Sequence, residues 1–192
     1  YHYLWQANGM LAGVRTPDGR TVTFGYDALG RRISKRTGDT VHRFVDYACG
    51  MAARLGDRVA AITTHNEPWV IATLGHETGV FAPGVKDRAV AMQVSHHLLL
   101  SHGLALQALR AQGCKARLGI VLNLSPMQAA ADTAADHAKT WLEDGRSSRW
   151  YLDPLFKGAY PADVLAHLGA DVPHVQAGDM AAISTPMDYL GV

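Results

Sequence analysis

A 21-residue internal repeat occupies the first forty residues and does not continue into the rest of the chain. A shift of 21 positions superimposes Tyr3 on Phe24, Trp5 on Tyr26, Gly9 on Gly30, Arg15 on Arg36 and Asp18 on Asp39. A repeat of this kind buries its apolar face only against neighbouring repeats. The pattern ends near Thr40. We therefore expect two segments of different architecture, over 1–40 and 41–192.

Turn signals divide the repeat region into short strands. Pro17, Asp18 and Gly19 form one turn signal, and Gly38 with Asp39 forms the next. The residues between them alternate in the manner of half-buried strands. This pattern predicts a small antiparallel β segment over 1–40.

The segment GYDALGRRISKR resembles the YD-repeat of Rhs-type proteins, which pair Tyr-Asp with a following Gly-Arg. Here the pair is Tyr26-Asp27 with Gly30-Arg31. The resemblance implies that further copies would build a β-sheet shell around a carried segment, usually outside the cytoplasm.

Beyond position 41 the hydrophobic period becomes helical and strands alternate with helices. Helices are predicted over 41–55, 87–109, 132–150 and 161–168, and strands over 59–64, 117–124 and 189–192. Asp87 and Asp132 are the expected N-caps, and Gly56 and Gly113 the expected stops. The alternation is typical of a parallel α/β fold.

The stretch TTHNEPWV places Glu67 in the loop that follows the predicted strand 59–64. In parallel α/β barrels the chemistry lies at the carboxyl ends of the strands. Asn66 beside it could hydrogen-bond a substrate hydroxyl, and Pro68 fixes the turn. The alternative is a carboxylate that caps the next helix.

The motif THNEPW resembles the acid/base motif of family 1 glycoside hydrolases, the β-glucosidase type. The same family resemblance covers HHLLLSHGLALQALR, RLGIVLNLSP, RWYLDPLFKGAYPADVL and DYLGV, in that order. It implies a partial (β/α)8 TIM barrel, about strands 4 to 6, over 41–192. It also implies that Glu67 is the general acid/base and that Asn66 binds the hydroxyl next to the anomeric carbon. Asn123 ends the next predicted strand, so its position suggests that it lines the same site.

A retaining glycosidase needs two carboxyl groups about 5 Å apart, one as acid and one as nucleophile. The other glutamates are Glu77 in GHETG and Glu143 in WLEDG, and neither resembles the family nucleophile motif. We expect Glu77 in a rim loop and Glu143 on a helix. The chain is therefore expected to be inactive by itself. The alternatives are an Rhs/YD-repeat shell or interaction protein without catalysis, and a chimeric reading frame with no function of its own.

Net charge, hydropathy and residue spacing argue against several other classes of protein. A net charge of +1 disfavours nucleic acid as a partner. The sequence contains no run of about 18 apolar residues, so no membrane span is expected. His96, His97 and His102 share a helix without metal-ligand spacing, so no metal is expected. The sequence has no P-loop or dinucleotide fingerprint, so no cofactor is expected.

The expected partner is a β-glycoside sugar once the site is completed. Open sheet edges are expected to favour self-association. The expected location is the cytoplasm, or outside the cell if the YD-repeat part dominates. Trp69, Trp141 and Trp150 could stack on sugar rings, but a helical pattern favours core packing for the last two.

Overall fold

The structure, a computed structural model, describes residues 1–17, 19, 21–26, 32–37, 40–41 and 44–192. The chain divides into two compact units, Tyr1–Tyr47 and Ala48–Val192. The boundary falls within the first helix, α1 (Phe44–Leu55), which ends before Gly56 as expected.

The first unit is built on a five-stranded antiparallel sheet in chain order. Its strands are β1 (His2–Trp5), β2 (Leu11–Arg15), β3 (Thr21–Tyr26), β4 (Arg32–Thr37) and β5 (Thr40–Val41). Each strand pairs with the next because the connections are short, and short connections join antiparallel neighbours.

The sequence repeat is also a structural repeat. Trp5 pairs with Leu11 immediately after a shift in register of the β1–β2 hairpin. Tyr26 pairs with Arg32 immediately after the same kind of shift in the β3–β4 hairpin, 21 residues later. A β-bulge therefore recurs at one position of the repeat, where it increases the local twist.

The YD-repeat motif is described at its tyrosine. The Tyr26 hydroxyl donates a hydrogen bond of 2.9 Å to the carbonyl oxygen of Leu11, which ties β3 to the start of β2. Asp27, Gly30 and Arg31 lie outside the described residues.

The second unit surrounds a parallel sheet of three strands in the order β6-β7-β8, namely Ala61–Asn66, Arg117–Val121 and Tyr189–Gly191. Its further helices are α2 (Arg88–Ala111), α3 (Ala134–Asp144), α4 (Trp150–Lys157), α5 (Ala162–Leu168) and α6 (Asp179–Ile183). Two π-helical segments, Val70–Glu77 and Gly145–Arg149, and a 3₁₀ turn, Gly169–Asp171, complete it. The parallel α/β arrangement agrees with the sequence pattern, but β6 lies two residues further along the chain than expected.

Helix caps follow the sequence in one case and depart from it in another. Asp87 caps α2, since its side chain accepts a hydrogen bond from the Val90 N–H. The prediction of Asp132 as a cap was wrong. Thr133 caps α3 by accepting from the Asp136 N–H, while Asp132 accepts a hydrogen bond from His137. A threonine one position nearer to the helix reaches the free N–H groups of the first turn.

The core of the second unit lies between the sheet, α2 and α4. Leu99 and Ile120 are fully buried there. Trp150 is also buried, and its ring stacks on Tyr160 with 4.3 Å between centroids. The core assignment of Trp141 was wrong: its ring is 59% exposed, and the Arg149 guanidinium covers it at 3.9 Å. A cation over an aromatic face replaces burial at that position.

β6 and β8 are the two edge strands of the parallel sheet within the described residues. No helix in the described part of the chain is long and apolar enough to cross a membrane.

Candidate active site

Glu67 follows β6 directly, at the carboxyl-terminal edge of the parallel sheet. Its backbone has a φ of +49°, a left-handed conformation that residues other than glycine rarely adopt. Two hydrogen bonds hold this turn. The Glu67 N–H donates to the Val121 carbonyl at 2.9 Å, and the Glu67 carbonyl accepts from the Val70 N–H at 2.9 Å. The position of the acid is therefore fixed by its backbone.

The Glu67 side chain does not cap the following helical segment. That segment, Val70–Glu77, has no side-chain cap hydrogen bond at its N-terminus. The carboxylate is half-buried, and residues 44–192 offer it no hydrogen bond or ion pair. Pro68 behind it is fully buried. The capping alternative is thus not what the structure shows.

Asn66 and Asn123 lie at the same edge of the sheet as Glu67. Asn66 is the last residue of β6, is exposed, and pairs with Val121 on β7. Asn123 is half-buried and comes two residues after the end of β7. The parallel pairing of the two strands therefore brings all three candidate residues to one edge.

The other two glutamates are both paired with one arginine. Arg146 bonds the Glu77 carboxylate at 2.9 Å and approaches that of Glu143 at 3.9 Å. The expectation of a rim loop for Glu77 was wrong, because it is the last residue of a π-helical segment. Glu143 lies on α3, as expected.

Glu77 and Glu143 line a cavity of about 290 Å³, together with the half-buried Trp69. Trp150 and Tyr151 form an apolar wall of this cavity. Glu67 is not among the residues that line it. Glu77 and Glu143 thus share an arginine and a cavity lining, and Glu67 belongs to neither.

Two buried histidines join the motif strand to the helix packed on it: His65 lies on β6 and His102 lies on α2. The His65 Nε2 lies 2.8 Å from the Ser101 hydroxyl, and the His102 Nδ1 lies 2.7 Å from the Thr64 hydroxyl. Burial lowers the pKa of each histidine to about 4, so both are neutral at pH 7. The motif strand is thus packed on α2 by uncharged polar contacts.

Sequence reasoning missed Thr64 and His102 as parts of the site's support. Their contact joins residues 38 positions apart. The available signal was a polar pair at buried positions, a threonine late in a strand and a histidine on an apolar helix face.

No group of three or more histidine, cysteine, aspartate or glutamate side chains is arranged to hold a metal ion in the described ranges. Cys49 and Cys114 are both free thiols.

Comparison with known proteins decides the family of this fold and motif. The model of glycosyl hydrolase family 1 matches residues 34–192. The chain belongs to glycosyl hydrolase family 1. The model of the RHS repeat matches residues 5–42, so this family 1 chain also carries an RHS repeat.

Two relatives of the family 1 segment are β-glucosidases. β-Glucosidase A of Acetivibrio thermocellus is 40% identical over 155 residues, which are 79% of this chain and 34% of that protein. The β-glucosidase of an Agrobacterium species is 39% identical over 153 residues, 80% of this chain and 33% of that protein. The chain therefore spans about a third of the length of the curated relatives it matches.

Solved structures give the same result for the fold. The crystal structure of a β-glucosidase from Exiguobacterium marinum is similar with a TM-score of 0.73 and 44% identity, over 77% of this chain and 34% of that one. A partial TIM barrel fits this match, and the family 1 segment is a β-glucosidase-like fragment of that fold.

Proposed function

We propose that residues 41–192 supply the acid/base half of a retaining β-glycosidase centre, as about strands 4 to 6 of the barrel. Glu67 is the general acid/base, and Asn66 binds the hydroxyl next to the anomeric carbon. Asn123 lines the same edge of the sheet. The observation that carries this proposal is the hydrogen bond from the Glu67 N–H to the Val121 carbonyl, which fixes the acid at the carboxyl-terminal edge of two parallel strands.

The second carboxylate is supplied by polypeptide other than these 192 residues. Retention requires a nucleophile about 5 Å from the acid. Glu77 and Glu143 share Arg146 and line a cavity to which Glu67 does not belong, which argues against either as that nucleophile. An acid without a nucleophile can protonate a leaving group but cannot displace it. These residues alone therefore give little or no turnover.

The proposed substrates are β-glucosides or β-galactosides, with water as the acceptor. The names of the relatives support this class, since both proteins compared above are β-glucosidases. The cytoplasm is the proposed location for this activity.

A second candidate function is a YD-repeat shell or interaction protein whose carried segment has no catalytic role. The RHS-repeat match over 5–42 and the bulge that recurs with the repeat favour it. A location outside the cytoplasm goes with this alternative. A third alternative is a chimeric reading frame without a function of its own. Amplification of native DNA across the codons for residues 38–44 tests it, since failure to recover the junction would identify an artefact.

Hydrolysis of 4-nitrophenyl β-D-glucoside tests the catalytic proposal. The 192-residue chain alone is expected to show no more release of nitrophenol than its Glu67→Gln variant. Co-expression with the remaining segments of the Acetivibrio thermocellus β-glucosidase, including its nucleophile, is expected to give hydrolysis.

The co-expressed activity is expected to fall by at least about a hundredfold in Glu67→Gln, as for loss of a general acid. Glu143→Gln is the matched control and should retain activity. Hydrolysis by the chain alone that disappears in Glu67→Gln would show that another of its own carboxylates acts as nucleophile.

A further inference from the structure

The strand that carries the motif contains a β-bulge. Thr63 pairs with Gly119 and Asn66 pairs with Val121, so three steps along β6 match two steps along β7. A bulge inserts one extra residue into a strand and leaves it out of the ladder. The extra residue is Thr64 or His65, between Thr63 and Asn66 and within the motif THNEPW.

The bulge turns two consecutive side chains toward one helix. Thr64 contacts His102 at 2.7 Å, and the next residue, His65, contacts Ser101 at 2.8 Å. Both partners lie on α2. Successive side chains of a regular strand point to opposite faces, so a shared helix contact requires the bulge. Thr63 and Asn66, which flank the pair, are exposed.

The Thr64 hydroxyl has two neighbours and one proton. It lies 2.7 Å from the His102 Nδ1 and 3.2 Å from the Gly119 carbonyl oxygen. The carbonyl can only accept, so Thr64 donates to Gly119 when His102 donates to Thr64. In the opposite arrangement the His102 proton would be on Nε2, which is buried and has no hydrogen-bond partner in the described part of the chain. A buried N–H without an acceptor is rarer and less favourable than a buried lone pair.

We propose that His102 is a positioning residue: it is held as the Nδ1–H tautomer and donates to the Thr64 hydroxyl, which donates to the Gly119 carbonyl and fixes the bulge that aims Glu67. The proposal rests on the proposed function only in taking Glu67 as the acid. His102 itself touches no reacting atom.

Loss of the bulge would displace the acid. Without the extra residue, every position after Thr63 would shift by one along β7, and Asn66 would turn toward α2. The Glu67 N–H would then no longer meet the Val121 carbonyl, which it now bonds at 2.9 Å. The hydrogen-bond relay from His102 through Thr64 to Gly119 therefore acts on the backbone that carries Glu67.

Nitrogen-15 NMR of the imidazole rings in the unmodified chain is the first test. The resonances of His102 are identified by their loss in His102→Asn. The expected result is a protonated Nδ1 and a bare Nε2 at pH 7. A protonated Nε2 would overturn the proposal. The measurement needs no catalysis to occur, so its failure is distinct from failure of the proposed function.

Amide hydrogen exchange separates positioning from general support. His102→Leu and Thr64→Val remove the relay, and we expect exchange of the Glu67 N–H to become at least about tenfold faster. Leu118 lies on the same strand as Gly119, and its N–H donates to the Asp188 carboxylate. The exchange rate of this amide should change less than about threefold. Equal acceleration at both amides would mean a merely structural role and would overturn the proposal.

Conservative variants provide the matched rescue. The side-chain N–H of His102→Asn can replace the Nδ1–H donor, and Thr64→Ser keeps the hydroxyl. Both are expected to leave exchange at Glu67 within about threefold of the unmodified chain. Exchange as fast as in His102→Leu would contradict the relay.

Discussion

The hydroxyl groups of Thr63 and Tyr189 lie 2.6 Å apart and form a hydrogen bond across the middle strand of the parallel sheet. Gly119 lies between them in register. A Cβ atom at Gly119 would collide with the Tyr189 backbone carbonyl oxygen and lie 2.8 Å from the Tyr189 ring, closer than such atoms approach in proteins. The absence of a side chain on β7 thus lets the two edge strands touch.

Gly119→Ala is expected to destabilise the second unit by about 2–3 kcal/mol, because the new methyl group displaces the backbone and the ring of Tyr189. Urea unfolding measures this change. Gly50→Ala is the control, since its Cβ would meet nothing within 4 Å on helix α1. That control should gain up to about 1 kcal/mol in stability from helix propensity. An unchanged free energy of unfolding in Gly119→Ala would show that the sheet does not need a glycine between Thr63 and Tyr189.

Arg149→Lys is expected to cost about 1–3 kcal/mol of unfolding free energy. Arg149 bonds both carboxylate oxygens of Asp163 at 2.9 and 2.7 Å and that of Asp144 at 2.9 Å. Lysine cannot make this planar, bidentate pairing. The matched control is Arg58→Lys, whose partner Asp57 is 78% exposed, and it should change stability by less than about 0.5 kcal/mol. Equal effects would contradict the prediction.

The free energy of unfolding should fall as the pH falls from 6.5 to 4. The pKa of His65 is lowered by burial from 6.5 to about 4, so the unfolded chain binds its proton first and is favoured. His65→Gln can keep the contact to Ser101 and removes the titration. Its loss of stability across this range should be smaller by about 3 kcal/mol. The exposed His167→Gln should behave like the unmodified chain, and an unchanged pH dependence in His65→Gln would refute the assignment.

Self-association of the isolated chain is expected from the edge strands β6 and β8. Light scattering after gel filtration should show a mass that rises with concentration. Ala61→Lys places a charge at an exposed position on the β6 edge and should lower that mass. Ala166→Lys, at an exposed position on α5, is the matched control and should leave it unchanged. A monomer at all concentrations would show that the edges do not pair.

The sequence alone determined the features that depend on near neighbours. It gave the 21-residue period of the β segment, the parallel α/β order, and the helix that begins after Asp87. It also placed Glu67 in the loop after a strand, although β6 ends two residues later than predicted. These features are set by side-chain periodicity and by caps that act over three or four residues, so a single stretch of chain contains all the information.

Only the tertiary structure decided the features that depend on distant partners. The bulge at Thr64 rests on His102 and Gly119, and the pairing of Glu77 rests on Arg146, 69 positions away. The Trp141 ring is 59% exposed, and the Arg149 guanidinium lies over it at 3.9 Å. The packing of α2 on β6 creates the contacts of Thr64, and the ion pair of Arg146 with Glu77 joins the two π-helical segments. Their energy depends on which elements meet, and local periodicity carries no record of that choice.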